Sequence, residues 1–300
     1  MSIQKALGLA AQHQNAGLFS EAENIYQQIL EAEPNQPDAT HMLGLIAYQV
    51  GKNELAVKLI SQALDIQPDN ASTHCNLGLV LQRLGHTQDA IANYQKALTL
   101  NPEYAEAYCN TGNILREMGK LDDAVSHYRK AVEHKPDYAL AYNNLGIALQ
   151  ELGELDEALT AYDKAVKLQP DLPEAHNSRA LGFQALGKLE DAVSSFRQAL
   201  ATRPNYAEAH CNLGVALQKL GKLEQAVVSY RKGILLQPNH VETLNNLGTA
   251  LKELGRDVEA IASYRKALAL KPDYASAHSN LGVAFEELGK LDEALSCYDK

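Results

Sequence analysis

The chain has 300 residues, of which 46% are hydrophobic and 21% charged, and it carries a net charge of −10. This acidic balance argues against nucleic-acid partners, because a nucleic-acid binder needs a basic face to neutralise phosphates. No apolar run approaches the roughly 18 residues that cross a bilayer, so we predict neither nucleic-acid binding nor membrane insertion.

The first 17 residues have an amphipathic helical pattern. They lack the charged stub, apolar block and cleavage site of a signal peptide. The cysteines are Cys75, Cys109, Cys211 and Cys297. They form no CxxC pair or tight cluster, and without a secretory signal they predict free thiols in a reducing compartment. The sequence therefore predicts a cytoplasmic protein.

A period of 34 residues runs through the chain. A first glycine column recurs at this spacing from Gly17 to Gly289, and a proline column does so from Pro34 to Pro272. An alanine column begins at Ala22 and keeps the same register. A fixed period of this length is the signature of a repeat architecture, in which each unit contacts only its neighbours.

Within each repeat, the residues predict two helices, A and B. The first-column glycine predicts the end of helix A, where a left-handed residue is needed. Acidic residues such as Asp122 and Asp123 follow at the start of helix B and complement its dipole, and proline ends helix B. A second glycine column, which starts at Gly44, marks a close helix crossing that larger side chains would overpack. An aromatic column, which starts at Tyr26, is expected to fill the groove opposite.

The repeats number about nine and form a single array over residues 1–300. Their starts lie near residues 3, 37, 71, 105, 139, 173, 207, 241 and 275. The last repeat is incomplete, because it stops at Lys300 inside its own helix B. Solenoid ends normally carry a polar capping helix, so we expect the natural polypeptide to continue.

The period, the Leu-Gly pair on helix A, the alanine and tyrosine of helix B and the closing proline together resemble the tetratricopeptide repeat (TPR), from about Ile3 to Lys300. Residues 141–146 and 277–282 are most similar to the superhelical TPR arm of O-GlcNAc transferases and of bacterial TPR–glycosyltransferase proteins. The resemblance implies an all-α fold: a right-handed superhelical solenoid of 34-residue antiparallel helix-turn-helix repeats. It is specific for the fold and only weakly so for function.

In this family, helix A lines the concave surface, so the resemblance points to one asparagine slot of helix A as a peptide-binding column. The members of this asparagine column are Asn76, Asn110, Asn144, Asn212, Asn246 and Asn280. Asparagine is a poor helix former, so its repetition needs a reason. Each carboxamide offers a donor and an acceptor to the backbone of an extended peptide. The alternative is that these side chains bridge adjacent helices and stiffen the solenoid.

Neighbouring inward slots add further asparagines to the predicted peptide-binding set. These are Asn113, Asn143, Asn177 and Asn245. The column is interrupted at Gly8, Met42 and Ser178. Continuous backbone recognition is therefore predicted over residues 76–144 and 212–280. The inward rows are neutral or acidic, which argues against the cationic clamp that some family members use for carboxylate ends.

Four histidines share one slot of helix A. They are His74, His176, His210 and His278. Because no HxxxH or HExxH pair occurs, they predict packing rather than a metal site. No phosphate-binding loop, GxSxG motif or set of nucleophile, base and orienter is present either. We predict no catalytic residue, no cofactor and no metal in residues 1–300.

The sequence thus predicts a non-enzymatic scaffold that binds protein or peptide partners along its concave face. Two alternatives stay open. One is the substrate-recognition arm of a larger O-GlcNAc-transferase-like enzyme whose catalytic domain lies beyond residue 300. The other is a self-assembly module that associates through its uncapped C-terminal end.

Overall fold

The computed structural model describes residues 2–300, which fold into eighteen α-helices joined by short turns, without a strand in that range. The helices are α1 (Ile3–Asn15), α2 (Phe19–Ala32), α3 (Pro37–Gln49), α4 (Asn53–Ile66), α5 (Ala71–Arg83), α6 (Thr87–Leu100), α7 (Ala105–Glu117), α8 (Leu121–His134), α9 (Ala139–Glu151), α10 (Leu155–Leu168), α11 (Pro173–Ala185), α12 (Leu189–Thr202), α13 (Ala207–Lys219), α14 (Leu223–Leu236), α15 (Val241–Glu253), α16 (Asp257–Leu270), α17 (Ala275–Glu287) and α18 (Leu291–Tyr298). No helix within residues 2–300 is both long and apolar enough to span a membrane.

The chain divides into two compact units, one ending at Ala148 and the other running from Leu149 to Lys300. In the first unit, α1 pairs with α2, α3 with α4, α5 with α6 and α7 with α8. In the second unit, the hairpins are α11 with α12, α13 with α14, α15 with α16 and α17 with α18. Within each unit, odd-numbered helices (helices A) also contact one another. The predicted all-α solenoid of helical hairpins is confirmed.

The first-column glycines end the odd-numbered helices in the left-handed conformation. Their φ angles lie between 72° and 85°, and no other residue type has a positive φ within residues 2–300. At Gly119, the glycine N–H donates to the Arg116 carbonyl, and the Lys120 N–H donates to the Leu115 carbonyl, each over 2.9 Å. This pair of bonds is a Schellman motif, and a residue with a Cβ there would cost about 1–2 kcal/mol. The predicted helix ends are confirmed.

Most members of the second glycine column pack against a tyrosine of the aromatic column in the same hairpin, whereas Gly44 packs against Ile60. A Cβ added at Gly214 would lie 2.5 Å from the Tyr230 ring, and one at Gly78 would lie 2.7 Å from the Tyr94 ring. Both tyrosine side chains are buried, and the Tyr230 hydroxyl donates to Gln218 over 2.9 Å. The close helix crossing expected from the small residues is therefore present.

The histidine slot ties an odd-numbered helix to the turn that precedes it. His210 Nε2 lies 3.0 Å from the Pro204 carbonyl oxygen, and His278 Nε2 lies 2.8 Å from that of Pro272. A carbonyl oxygen can only accept, so Nε2 carries the proton in both rings. Burial lowers the pKa of His210, which favours the neutral ring. In both repeats the ring therefore joins its helix to the preceding turn by a hydrogen bond.

Candidate peptide-binding face

The asparagine column occupies the sixth residue of α5, α7 and α9 in the first unit and of α13, α15 and α17 in the second. All six side chains are half-buried. In each unit they follow one row across neighbouring helices A. We call this surface of each unit the asparagine face.

In the first unit, Asn76 joins a polar chain that reaches the preceding helix A. Its Nδ2 donates to His41 Nε2 over 2.9 Å, and His41 Nδ1 lies 3.3 Å from Thr73 Oγ1. With Nε2 as acceptor, the ring proton sits on Nδ1 and is donated to Thr73. Burial lowers the pKa of His41, although Asp38 opposes this shift. This series of hydrogen bonds requires the neutral form of the His41 imidazole.

The next two members of the column reach back to cysteines. Asn110 Nδ2 donates to Cys75 Sγ, and Asn144 Nδ2 donates to Cys109 Sγ, both over 3.8 Å. Burial raises the pKa of Cys75 to about 12 and that of Cys109 to about 11. The thiols are therefore neutral, and a neutral sulfur is a weak acceptor. The two asparagines are held only loosely by these contacts.

Asn113 is committed to the framework through its carbonyl oxygen. Its Oδ1 accepts from Tyr128 Oη over 2.7 Å and from Asn144 Nδ2 over 3.0 Å. The tyrosine belongs to the buried aromatic column. Asn113 therefore positions Asn144 on the asparagine face, and only its own amide N–H groups remain for a ligand.

The second unit repeats the bridging pattern with amide acceptors. Asn212 Nδ2 donates to Asn177 Oδ1 over 3.5 Å, and Asn280 Nδ2 donates to Asn245 Oδ1 over 3.0 Å. Asn177 in turn donates to Glu208 over 3.2 Å. Asn246 makes no side-chain hydrogen bond within the described part of the chain.

Five of the six column members thus bridge to the residue 35 positions earlier, always through Nδ2. The stiffening role that the sequence left open is present in the structure. None of the six Oδ1 atoms accepts a hydrogen bond from the residues that the structure describes. The half-buried side chains of the column therefore keep acceptor atoms that the described residues do not use.

Three predicted site residues lie beneath this face. Asn143, Asn177 and Asn245 are buried, with 5%, 3% and 7% of their surface exposed. Each of them lies one residue before a position of the asparagine column. Because successive residues are rotated by about 100° around a helix, these side chains lie in the contact between hairpins. We assign them to the framework rather than to the peptide-contacting set.

Two of the inward-facing acids are paired with a basic side chain. Glu106 lies 2.8 Å from Lys135, and Glu174 lies 2.7 Å from Arg203. Each basic partner follows the end of a helix B, and the hydrogen bond that Lys135 donates to Glu106 raises the pKa of Lys135. Within residues 2–300, no three His, Cys, Asp or Glu side chains gather to hold a metal. Glu208, by contrast, accepts from the neutral amide of Asn177, so the surroundings of the column are polar and neutral to acidic.

A second row of bridges was not found from the sequence. Gln218 Nε2 donates to Glu253 over 2.6 Å, and Lys252 Nζ lies 2.8 Å from Glu287. Both pairs join residues 35 positions apart near the ends of adjacent helices A. The column members also lie 35 residues after their acceptors. An offset of 35 residues, rather than the repeat period of 34, was therefore the sequence signal that could have revealed these bridges.

Stacked two-helix repeats joined by short turns define an α-solenoid. Models of the tetratricopeptide repeat match residues 35–103, 93–126, 139–172 and 207–240, and a further TPR repeat model matches 112–153, 183–221 and 248–289. The chain belongs to the tetratricopeptide repeat family. Such repeats are generally non-catalytic protein-interaction scaffolds, and the repeats of this chain support a role as a protein-interaction scaffold.

Solved structures share the fold. The APC/C hetero-tetramer Cut9-Hcn1 has a TM-score of 0.71 at 21% identity, covering 89% of this chain and 52% of that one. MamA has a TM-score of 0.50 at 26% identity, covering 52% of this chain and 91% of that one. YrrB, a TPR protein with an unusual peptide-binding site, has a TM-score of 0.52 at 24% identity, covering 61% and 95%.

The chain spans about half the length of its Cut9-Hcn1 match. No curated protein matches it in sequence, whereas 508 solved chains match its fold. A fold shared this widely does not identify a partner. The resemblance to O-GlcNAc transferase arms, the self-assembly alternative and the cytoplasmic location therefore stay predictions.

Proposed function

We propose that the asparagine face of each unit binds an extended segment of a partner protein by hydrogen bonding to its main chain. The supporting observation is Asn246, which is half-exposed in the middle of α15 and has no hydrogen-bond partner in the described residues. Relative to alanine, such an asparagine costs the helix a few tenths of a kcal/mol. A bound peptide amide would give this carboxamide a partner.

The geometry of the row suits an extended chain. Adjacent packed helices lie about 8–10 Å apart, and an extended peptide advances about 3.3 Å per residue. One asparagine would therefore meet about every third peptide residue. Because the free atoms of the column are acceptors, the contacts would be made to peptide N–H groups.

Affinity in this arrangement is the sum of weak contacts. Each hydrogen bond contributes about 0.5–1.5 kcal/mol net, and three column positions lie in each unit, over residues 76–144 and 212–280. The carboxamides of the column are uncharged and favour no particular charge. Binding would therefore depend on main-chain conformation and tolerate many side chains.

Asn110, Asn144 and Asn246 are the residues to test together. Partner segments captured from cells are synthesised as labelled peptides, and their affinity for wild type and for the N110A/N144A/N246A variant is measured by fluorescence anisotropy. We expect at least about a tenfold loss, equal to about 1.4 kcal/mol. N-methylation of the peptide amides should weaken binding to wild type and have little effect on the variant.

Asn24 provides the matched control, because it is exposed on a helix B. The N24A variant should bind these peptides like wild type. Equal affinities for wild type and the triple variant would leave the column with its bridging role alone and refute the proposal.

A further inference from the structure

Two exposed residues of α14 break the repeat pattern. Val228 and Leu235 are 55% and 81% exposed, and they lie seven residues apart, on one side of the helix. One repeat earlier, the equivalent positions hold Ser194 and Ala201. Packing of the hairpin does not require large apolar side chains at exposed positions, because the other repeats pack without them.

These two residues line a groove between α12 and α14 in the second unit. The groove has a volume of about 580 Å³, which lies in the range of binding pockets. Leu213 of α13 and Leu200 of α12 contribute to its lining, and Pro204 lies at one end. A continuing groove along the same helices reaches Gln225. We call this surface the outer groove, because it lies between two helices B, away from the asparagine column.

The charged side chains of the 580 Å³ part of the outer groove are positive, whereas Glu224 lines the continuation of the groove. Arg197 and Lys232 line its 580 Å³ part, and no aspartate or glutamate does. Lys232 has no ion-pair partner within the described residues, and Arg197 donates to the neutral amide of Gln225 over 3.1 Å. The only other titratable side chain in the lining, His210, is bound to the Pro204 carbonyl. In a chain of net charge −10, this is a local cationic site beside exposed apolar surface.

We propose that the outer groove docks an acidic segment of a partner protein, with a large apolar side chain against Val228 and Leu235 and a carboxylate near Arg197 and Lys232. The apolar contact would supply most of the affinity, and the two cations would select an acidic over a basic segment. This docking is independent of the asparagine face, because its exposed apolar and cationic side chains belong to α12 and α14 and its chemistry is different.

The test is a selection of random peptides displayed on phage against the intact chain, followed by anisotropy with synthetic copies of the enriched peptides. The V228S/L235A variant restores the residues of the preceding repeat, so it should fold normally. Val258 is an 80% exposed valine on α16 outside the groove lining, and V258D serves as the matched control.

We expect enriched peptides that combine a large apolar residue with Asp or Glu. They should bind V228S/L235A at least about tenfold more weakly than wild type and bind V258D like wild type. K232E should weaken the same peptides and strengthen versions in which Lys replaces the acidic residues. Equal affinity for wild type and V228S/L235A, enrichment of basic peptides, or failure to enrich any peptide would overturn the proposal.

Discussion

The side-chain nitrogen of Asn280 donates to the side-chain oxygen of Asn245 over 3.0 Å and so joins α17 to α15. Asn245 is buried, so water cannot replace the donor without opening the hairpin contact. A buried acceptor that loses its partner costs more than the net value of the bond itself. The same slot one repeat earlier, Asn246, makes no such bond.

Alanine at these two positions should therefore have unequal effects on stability. We expect N280A to lower the free energy of unfolding by about 1–3 kcal/mol, because the Asn245 oxygen is left buried and unpaired. N246A loses no hydrogen bond and should stay within about 0.5 kcal/mol of wild type. Urea denaturation followed by circular dichroism measures both values. Equal midpoints for the two variants would contradict the bridging role assigned to Asn280.

The repeat pattern predicts what every repeat must do alike. The left-handed cap at Gly119 and the contact between Gly78 and Tyr94 follow from residue types at a fixed spacing, because each serves a hairpin on its own. The period cannot show how far one hairpin is rotated against the next. For this reason Asn143 was expected on the face and is found buried beside half-exposed Asn144.

Departures from the repeat carry the remaining information. Leu235 stands at a position where the other repeats hold small or polar residues, and a search for the shared pattern passes over it. Its significance depends on the cations and the open volume around it. Those neighbours come from three different helices, so only the structure brings them together.

Replacement of glycine by alanine should change the free energy of unfolding in opposite directions at two helical positions. In G214A, the new Cβ would lie 2.5 Å from the Tyr230 ring, and the ring is buried and cannot move away. We expect G214A to lose about 1–3 kcal/mol of unfolding free energy through overpacking. At Gly8, a methyl group would meet no atom within 4 Å, so G8A should gain up to about 1 kcal/mol from helix propensity.

Thermal and urea denaturation of the two glycine variants measure these changes. A shift in the same direction for G214A and G8A would show that helix propensity dominates over packing at Gly214. The double variant G214A/Y230L, which removes the ring, should recover part of the loss.

The free energy of unfolding should decrease as the pH is lowered below about 6.5, the ordinary pKa of histidine. Burial lowers the pKa of His41 and of His210 in the folded state. Between the lowered folded pKa and the unfolded value, the unfolded chain binds more protons, so the free energy of unfolding decreases as the pH falls. Above the unfolded pKa, the contribution of both rings is fully retained.

The measurement is the urea midpoint at several pH values on either side of about pH 6.5. H41Q should flatten the decrease, because glutamine keeps a polar side chain but does not titrate. H86Q, which changes a histidine that is exposed on the surface, is the control and should leave the profile unchanged. A wild-type midpoint that stays constant through this range would contradict the assignment of neutral buried rings.

The four cysteines should differ in their reactivity toward iodoacetamide at about pH 8, because the thiolate is the reactive form. Burial raises the pKa of Cys75 to about 12 and that of Cys109 to about 11, and both side chains are buried. Burial also raises the pKa of Cys211 and Cys297, but Cys297 is only half-buried, and Lys300 and Arg265 oppose the shift there. Peptide mass spectrometry over time should show Cys297 alkylated first and Cys75 and Cys109 last. In urea, all four cysteines should react at similar rates. If Cys75 is labelled as fast as Cys297 in the native protein, the first unit opens far more readily than its buried contacts allow.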